Sequence, residues 1–309
     1  AALTKQTALL LSLPMLAYVF LYRSRFQAYC FTGFFITGLG LPSLLLNTAT
    51  SDWYFFYTLD LPGQHPILWH RLYSFWVEQI IKPLPVAACM ALCSFWLISS
   101  KQSPLLYTLI FFTMLACSCL PWIKVGGYKN VLLPAHAALA LGAGIVLAAP
   151  YTGLTRRLLY IAACIQFALL RYNPLLILPG DGNAKTVHET VAAIKKIDGE
   201  VLAPASGYLT VKAGKTHTAH MGCIDDIIYA GPGPVRDRLI VEIVTAIREK
   251  RYAAILLDRK FSFFQQEVEA NYTLYQQYGA HPRLWPLVKF WYVPRPQPAT
   301  TAPTQSPDR

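Results

Sequence analysis

The chain changes its solvent preference part-way along. Apolar stretches at residues 6–22, 27–46, 84–99, 104–120, 131–149 and 157–172 are separated by short polar breaks, and after Arg171 the pattern stops. A bilayer core about 30 Å thick asks for roughly 17 to 25 apolar residues per helix. The stretches therefore predict a polytopic α-helical membrane bundle of about six spans over residues 1–172. Several contain a proline (Pro14, Pro42, Pro85, Pro134), which a bundle accommodates when neighbouring helices or polar side chains satisfy the freed backbone groups. The competing reading, the core of one large soluble domain, fits poorly because such domains carry more charge.

Charge follows the same division. Residues 1–172 hold eleven Lys/Arg against three Asp/Glu, and residues 173–309 hold sixteen against thirteen, so +8 of the net +11 belongs to the apolar half. These cations sit in short loops at span ends, where lipid phosphate and orientation explain them better than nucleic acid does. Arg23 and Arg25, Lys101, and Arg156 with Arg157 occupy the shortest connections. The long connection 47–83 carries Asp52, Asp60 and Glu78 against Arg71 and Lys82. The short loops are thus expected in the cytoplasm, even with Lys124 and Lys129 in the next outward loop, and residues 173–309 outside it. With only Lys5 ahead of the first stretch, that span would run from outside to inside, so more chain is expected before Ala1. A cleaved signal peptide is the alternative, but no small-residue cleavage site follows the run.

The outward loops concentrate the chemistry. Residues 51–76 mix Trp, Tyr and Phe with Asp60, His65, His70 and Arg71, an interfacial composition that predicts an interfacial helix over residues 66–81. Two readings stand: an aromatic belt without a ligand, or a loop in which His65, His70 and Arg71 face a phosphate or sugar. The second outward loop, Pro121-Trp-Ile-Lys-Val-Gly-Gly-Tyr-Lys-Asn130, sets Lys124, Tyr128, Lys129 and Asn130 at the mouth of an apolar helix. Free backbone N–H groups and ammonium groups there can converge on an anion, or the lysines can anchor span ends by snorkelling.

Three segments carry a resemblance: Leu3-Thr-Lys-Gln-Thr7, Trp53-Tyr-Phe-Phe-Tyr-Thr-Leu-Asp-Leu-Pro62 with Gln64-His65, and Gly126-Gly-Tyr-Lys-Asn-Val-Leu-Leu-Pro134. They resemble the later spans of bacterial GT-C type membrane glycosyltransferases related to protein O-mannosyltransferases and the lipid A aminoarabinose transferase. The resemblance covers residues 3 to about 172 and, more loosely, the rest. It implies transfer of a sugar from a polyprenyl-phosphate carrier to a lipid or glycan acceptor at the outer face of the bacterial inner membrane, without a cofactor. Lys124, Tyr128, Lys129, Asn130 and Arg71 would lie at the donor phosphate, with Asp60, His65 and His70 in the substrate loop. The family's catalytic carboxylate follows its first span and would precede Ala1, leaving the catalytic residue of this chain unassigned. A membrane-anchored binding or envelope-assembly protein is the alternative. A transporter fits less well, because charged residues avoid the spans.

From residue 173 to 293 the composition predicts a small extracytoplasmic α/β domain with a mainly parallel sheet. Helices are expected at 186–197 and 235–248, and strands at 200–203, 208–212 and 252–258. His217, His220, Asp225 and Asp226 are suitable metal ligands, but a polar loop is the favoured reading and no metal is assigned. Gly207–Gly214 lacks dinucleotide spacing. Asp258 ends a strand where α/β folds place ligands, or caps the next element. Cys223 is the one thiol of this part; the other six lie in apolar stretches and read as buried hydrophobes. Residues 294–309, rich in Pro, Thr, Ser and Gln, are expected to be disordered.

Overall fold

The computed structural model describes residues 7–98, 104–176, 181–261, 263–277 and 288–296. The chain divides into two compact units, Ala1–Tyr172 with Tyr229–Gly231, and Asn173–Ile228 with Pro232–Arg309. Residues 3–6 of the resemblance, Lys101 and residues 297–309 lie outside the described residues.

In the first unit the principal helices are α1 (Ser12–Tyr22), α2 (Arg25–Ala49), α3 (Pro85–Ile98), α4 (Pro104–Trp122), α5 (Leu133–Leu147) and α6 (Gly153–Leu169). Proline opens α3 and α4 and stands in the first turn of α5, where its missing N–H has no intrahelical partner to lose. Three helices are long and apolar enough to cross a membrane: Arg25–Ala49, Pro104–Trp122 and Lys129–Leu147. The count of about six is not reached among the described residues. α1 is 11 residues long and α3 14, while α6, of 17 residues, carries Arg156 and Arg157 within its first two turns. The bent pair His70–Ile81 and Pro85–Ile98, at 94°, makes a fourth candidate if it is one span.

Packing in this unit is close and uses small residues. A Cβ on Gly142 of α5 would stand 2.7 Å from Ala91 Cα of α3, so the two backbones approach as membrane helices do at small side chains. Around this contact lie buried Phe75, Phe111, Leu115, Leu132, Ala138 and Leu139. Two polar side chains inside the bundle serve the starts of neighbouring helices, while buried Ser94 bonds Ala91 O (2.6 Å) and the Tyr107 hydroxyl (2.7 Å). Gln166 of α6 accepts from Val86 N (3.1 Å) and donates to Pro83 O (3.0 Å). Ser118 of α4 accepts from Ala135 N of α5 (2.9 Å). The bonds to Val86 N and Ala135 N satisfy first-turn donors that α3 and α5 leave open, and Pro83 O lies just before α3.

The second unit is a four-stranded sheet of order β1-β2-β4-β3, from β1 (Glu200–Leu202), β2 (Tyr252–Leu257), β3 (Tyr272–Gln277) and β4 (Phe290–Pro294). Only β1 and β2 are parallel; β4 runs antiparallel to β2 and to β3, so the expected mainly parallel sheet is mixed. Its helices are α7 (Asp181–Lys195), α8 (Gly207–Lys212), α9 (Met221–Tyr229), α10 (Pro234–Arg248) and α11 (Gln265–Asn271). β2 shows why the layers form. Ala254 and Leu256 join Ile194 and Leu209 on one face, while Ile255 and Leu257 join Ile224, Ile247 and Val268 on the other. A strand covered on both faces reads as an unbroken apolar run.

Two local expectations fail here. Residues 208–212, read as a strand, form α8, which ends at Gly214 in the left-handed region (φ 74°), a helix stop glycine favours. The polar loop read across His217–Asp226 becomes α9 from Met221 onward. The start of the expected tail is ordered: Pro294 closes β4, and Arg295 donates from its backbone N to Asn271 O (3.0 Å) and from Nη2 to Glu269 O (2.6 Å). Burial pushes the Tyr272 phenol up to about 12, and its hydroxyl donates to Tyr252 O (3.0 Å).

Candidate functional site

The two aromatic and cationic loops of the first unit, far apart in sequence, meet. After α2, Ser51 and Asp52 take left-handed backbone angles (φ 49° and 69°), a conformation Asp tolerates better than most residues. Asn47 fixes the reversal by donating to Asp52 Oδ1 (2.7 Å) and accepting from Phe55 N (2.9 Å). A helical run follows from Trp53 to Gln64, with a π-helical piece at Phe56–Asp60. The predicted interfacial helix is split: Ile67 forms an antiparallel bridge with Lys124, and helix resumes as His70–Ser74 and a π-helical Phe75–Ile81. Backbone bonds Leu68 N to Ile123 O (2.7 Å) and Val125 N to Pro66 O (3.1 Å) flank the bridge.

Side chains then lock this pairing. Arg71 Nη1 donates to the carbonyls of Lys124 (3.0 Å), Trp122 (3.4 Å) and Gly127 (3.5 Å), and its guanidinium lies 5.9 Å from the Trp122 ring centroid. Lys124 Nζ donates back to Pro62 O (2.7 Å). His65 meets Val125 O through Nδ1 (3.0 Å), which places a proton on that nitrogen because a carbonyl only accepts. Trp122 Nε1 donates to Ser74 Oγ (3.2 Å). The glycine pair makes the turn possible. Gly126 takes φ 82°, and a Cβ on Gly127 would press on Pro121 O and stand 2.9 Å from Trp122 O.

The eight residues singled out from the sequence thus fall into two groups. Arg71, Lys124 and His65 come together, with polar groups engaged on backbone carbonyls that join the loops. Asp60, His70, Tyr128, Lys129 and Asn130 are exposed on or beside the same loops. Tyr128 precedes a single 3-10 turn, Lys129–Leu132, that leads into α5. The sequence reading did not single out Trp122 and Ser74 as loop partners, or Gln166 and His136 in the bundle. A lone Gln and a lone His inside apolar stretches were the available signal, since polar groups there are costly and need partners.

In the second unit the candidate metal ligands have other engagements. His220 Nδ1 accepts from Gly222 N (3.0 Å) in the first turn of α9, and Asp225 accepts from Arg259 Nη2 (2.7 Å). Burial raises the Asp225 carboxyl above its ordinary range; Arg259 opposes this, and Asp226 and Asp258 add to it. Among the described residues no three His, Cys, Asp or Glu side chains stand close enough to hold a metal ion.

No protein-family model, curated protein or solved structure matches the chain.

Proposed function

We propose that this chain belongs to a membrane glycosyltransferase that passes a sugar from a polyprenyl-phosphate carrier to a lipid or glycan acceptor. In this reading the first unit sits in the bacterial inner membrane and the second lies outside the cytoplasm. The observation that carries the reading is the loop clamp. Arg71 and Lys124 tie residues 62–71 to residues 122–127, and Tyr128, Lys129 and Asn130 stand exposed directly past its end. A departing lipid phosphate would meet the Lys129 ammonium and the Asn130 amide, within the positive field of Arg71 and Lys124, whose donors are partly committed to the clamp. Preformed cations of this kind stabilise charge that grows on a leaving group. A general base must still take the proton of the acceptor hydroxyl, and none of these four cationic and amide groups is suited to that task.

Transfer from a polyprenyl-phosphate sugar in proteoliposomes tests the reading. Lys129→Ala is expected to slow turnover by about tenfold or more, the worth of one charge-assisted hydrogen bond; unchanged turnover would remove Lys129 from the site. Sidedness has its own test, because Cys223 is exposed in the second unit. A membrane-impermeant maleimide should label it in intact cells stripped of their outer wall, and labelling only after permeabilisation would reverse the orientation. The second reading, a non-catalytic membrane-anchored binding or envelope-assembly protein, draws on the second unit having two apolar cores of its own around its sheet. It predicts ligand binding without transfer.

A further inference from the structure

The helical segment His70–Ile81 meets α3 at 94°. With α3 across a bilayer, a segment at that angle lies along the membrane surface. Its sides are differently occupied. Arg71 and Ser74, three residues apart, hold the loop 122–127, one through its guanidinium and the other by accepting from Trp122 Nε1. Phe75 and Ile80 are buried with Phe111 and Leu115 of α4 in the bundle core. The remaining side carries Trp69, which has helical backbone angles at the N-cap, then Leu72, Tyr73 and Trp76. Their spacing of i, i+3, i+4 and i+7 is that of one helix face. Leu72 and Trp76 each stand two residues from Ser74, which at about 100° per residue turns them roughly away from the loop. All four are exposed, Trp69 at 70% and Tyr73 at 69%.

Composition and position together select what covers this side. Trp and Tyr join an apolar ring to one polar atom, the combination that settles where hydrocarbon meets water. Exposed Lys82 ends the segment, so its stem can lie along the apolar side while its ammonium reaches a lipid phosphate. Past the bend, α3 carries the exposed apolar surface onward with Leu92 and Trp96. In the membrane placement proposed above, the stripe is therefore the rim of a surface that faces lipid.

We propose that the side of this segment bearing Trp69, Leu72, Tyr73 and Trp76 docks onto the bilayer, its rings seated in the boundary between headgroups and acyl chains. Because the opposite side holds the loop 122–127, docking also fixes that loop at the level of the lipid headgroups. The assignment rests on the first unit lying in a membrane and not on sugar transfer.

The test uses the full chain reconstituted in phosphatidylethanolamine and phosphatidylglycerol vesicles. An environment-sensitive fluorescent amino acid is introduced at one position per sample: 73 on the stripe, 78 off it, and 34 in α2 as the reference for membrane embedding. Tyr73, Glu78 and Phe34 are all exposed, so the replacements leave the packing intact. Three quenchers are applied: iodide on both sides of the vesicle, a phospholipid with its nitroxide near the headgroup, and one with its nitroxide near the chain end. Position 73 should be quenched about twice as strongly by the shallow nitroxide as by the deep one, and about threefold less by iodide than position 78, as for a face sunk about 5–10 Å into the boundary. Position 34 should respond chiefly to the deep nitroxide. Position 73 as open to iodide as 78, or shielded from all three quenchers by protein, would overturn the docking while position 34 still reports an embedded bundle. Position 34 open to iodide would instead remove the membrane placement itself, and the docking with it.

Discussion

In the first unit Phe34 and Trp96 are 84% and 85% exposed, while Gln166 and Ser118 are buried at helix ends. In the second, Ile255, Leu256 and Leu257 are buried, and the Arg248–Glu267, Arg251–Glu200 and Arg259–Asp225 pairs lie toward the surface. No ion pair of the described residues falls in the first unit; the fourth, Lys185–Glu189, is also in the second. The two units therefore distribute polarity in opposite senses. Apolar side chains facing outward and polar ones hydrogen-bonded within the bundle suit a hydrocarbon solvent, where an open N–H has no water to turn to. Apolar side chains facing inward and paired charges facing out suit water.

The sharpest contrast is a cavity. Leu257→Ala in the two-sided core of the second unit should cost about 2–5 kcal/mol, read as an early unfolding transition in denaturant. A loss below 1 kcal/mol would mean that this sheet is not the unit's core. The next test breaks the first unit's side of the comparison. Phe34→Arg near the middle of α2 should cost about 3 kcal/mol of membrane insertion, visible as a shift of the protein out of the membrane fraction. Were α2 in water, the same change would be harmless or would improve solubility.

Gln166→Leu comes third, at about 1–3 kcal/mol, because it strands Val86 N and Pro83 O in apolar surroundings. Thermal unfolding in detergent measures it, and an unchanged midpoint would show that those groups find other partners. The smallest effect is an acid limb confined to the second unit. The side chains of Arg251 and Arg248 hold the Glu200 and Glu267 carboxyls below their ordinary value of 4.5. A depressed folded value means that their contribution is present above the unfolded value and is lost as pH falls through the folded one. Asp225, raised by burial, acts oppositely: its contribution is present at low pH and fades as pH rises through its folded value. Glu200→Gln with Glu267→Gln should flatten the acid limb by lowering the plateau near neutrality toward the stability at the acid limit, which stays as it is. A profile as steep as the parent's would remove these pairs from the account.

Legibility differed by element. Residues 235–248 and 252–258 were readable because the first repeats apolar residues at helical spacing and the second is one apolar run. Tyr208–Lys212 was misread, since five residues make about one and a half helical turns and their alternation fits either state. β3 was invisible for a different reason. Only Tyr272 of its six residues is buried, so no burial pattern is written into it. In the candidate site, the aromatic and cationic composition of both loops was legible. What Arg71 and Lys124 do was not, because carbonyl oxygens are their partners and a sequence carries no signature of which carbonyl points where.

The sequence by itself determined the change of solvent near Arg171, the apolar stretches and the cationic, aromatic loops between them, since hydropathy and charge are sums over side chains that need no contacts. Only the tertiary structure decided that Ile67 pairs with Lys124, that Gln166 serves the start of α3, and that Ser118 of α4 serves the start of α5. Those outcomes depend on which backbone groups remain unpaired after the helices have packed, and that accounting closes only in three dimensions.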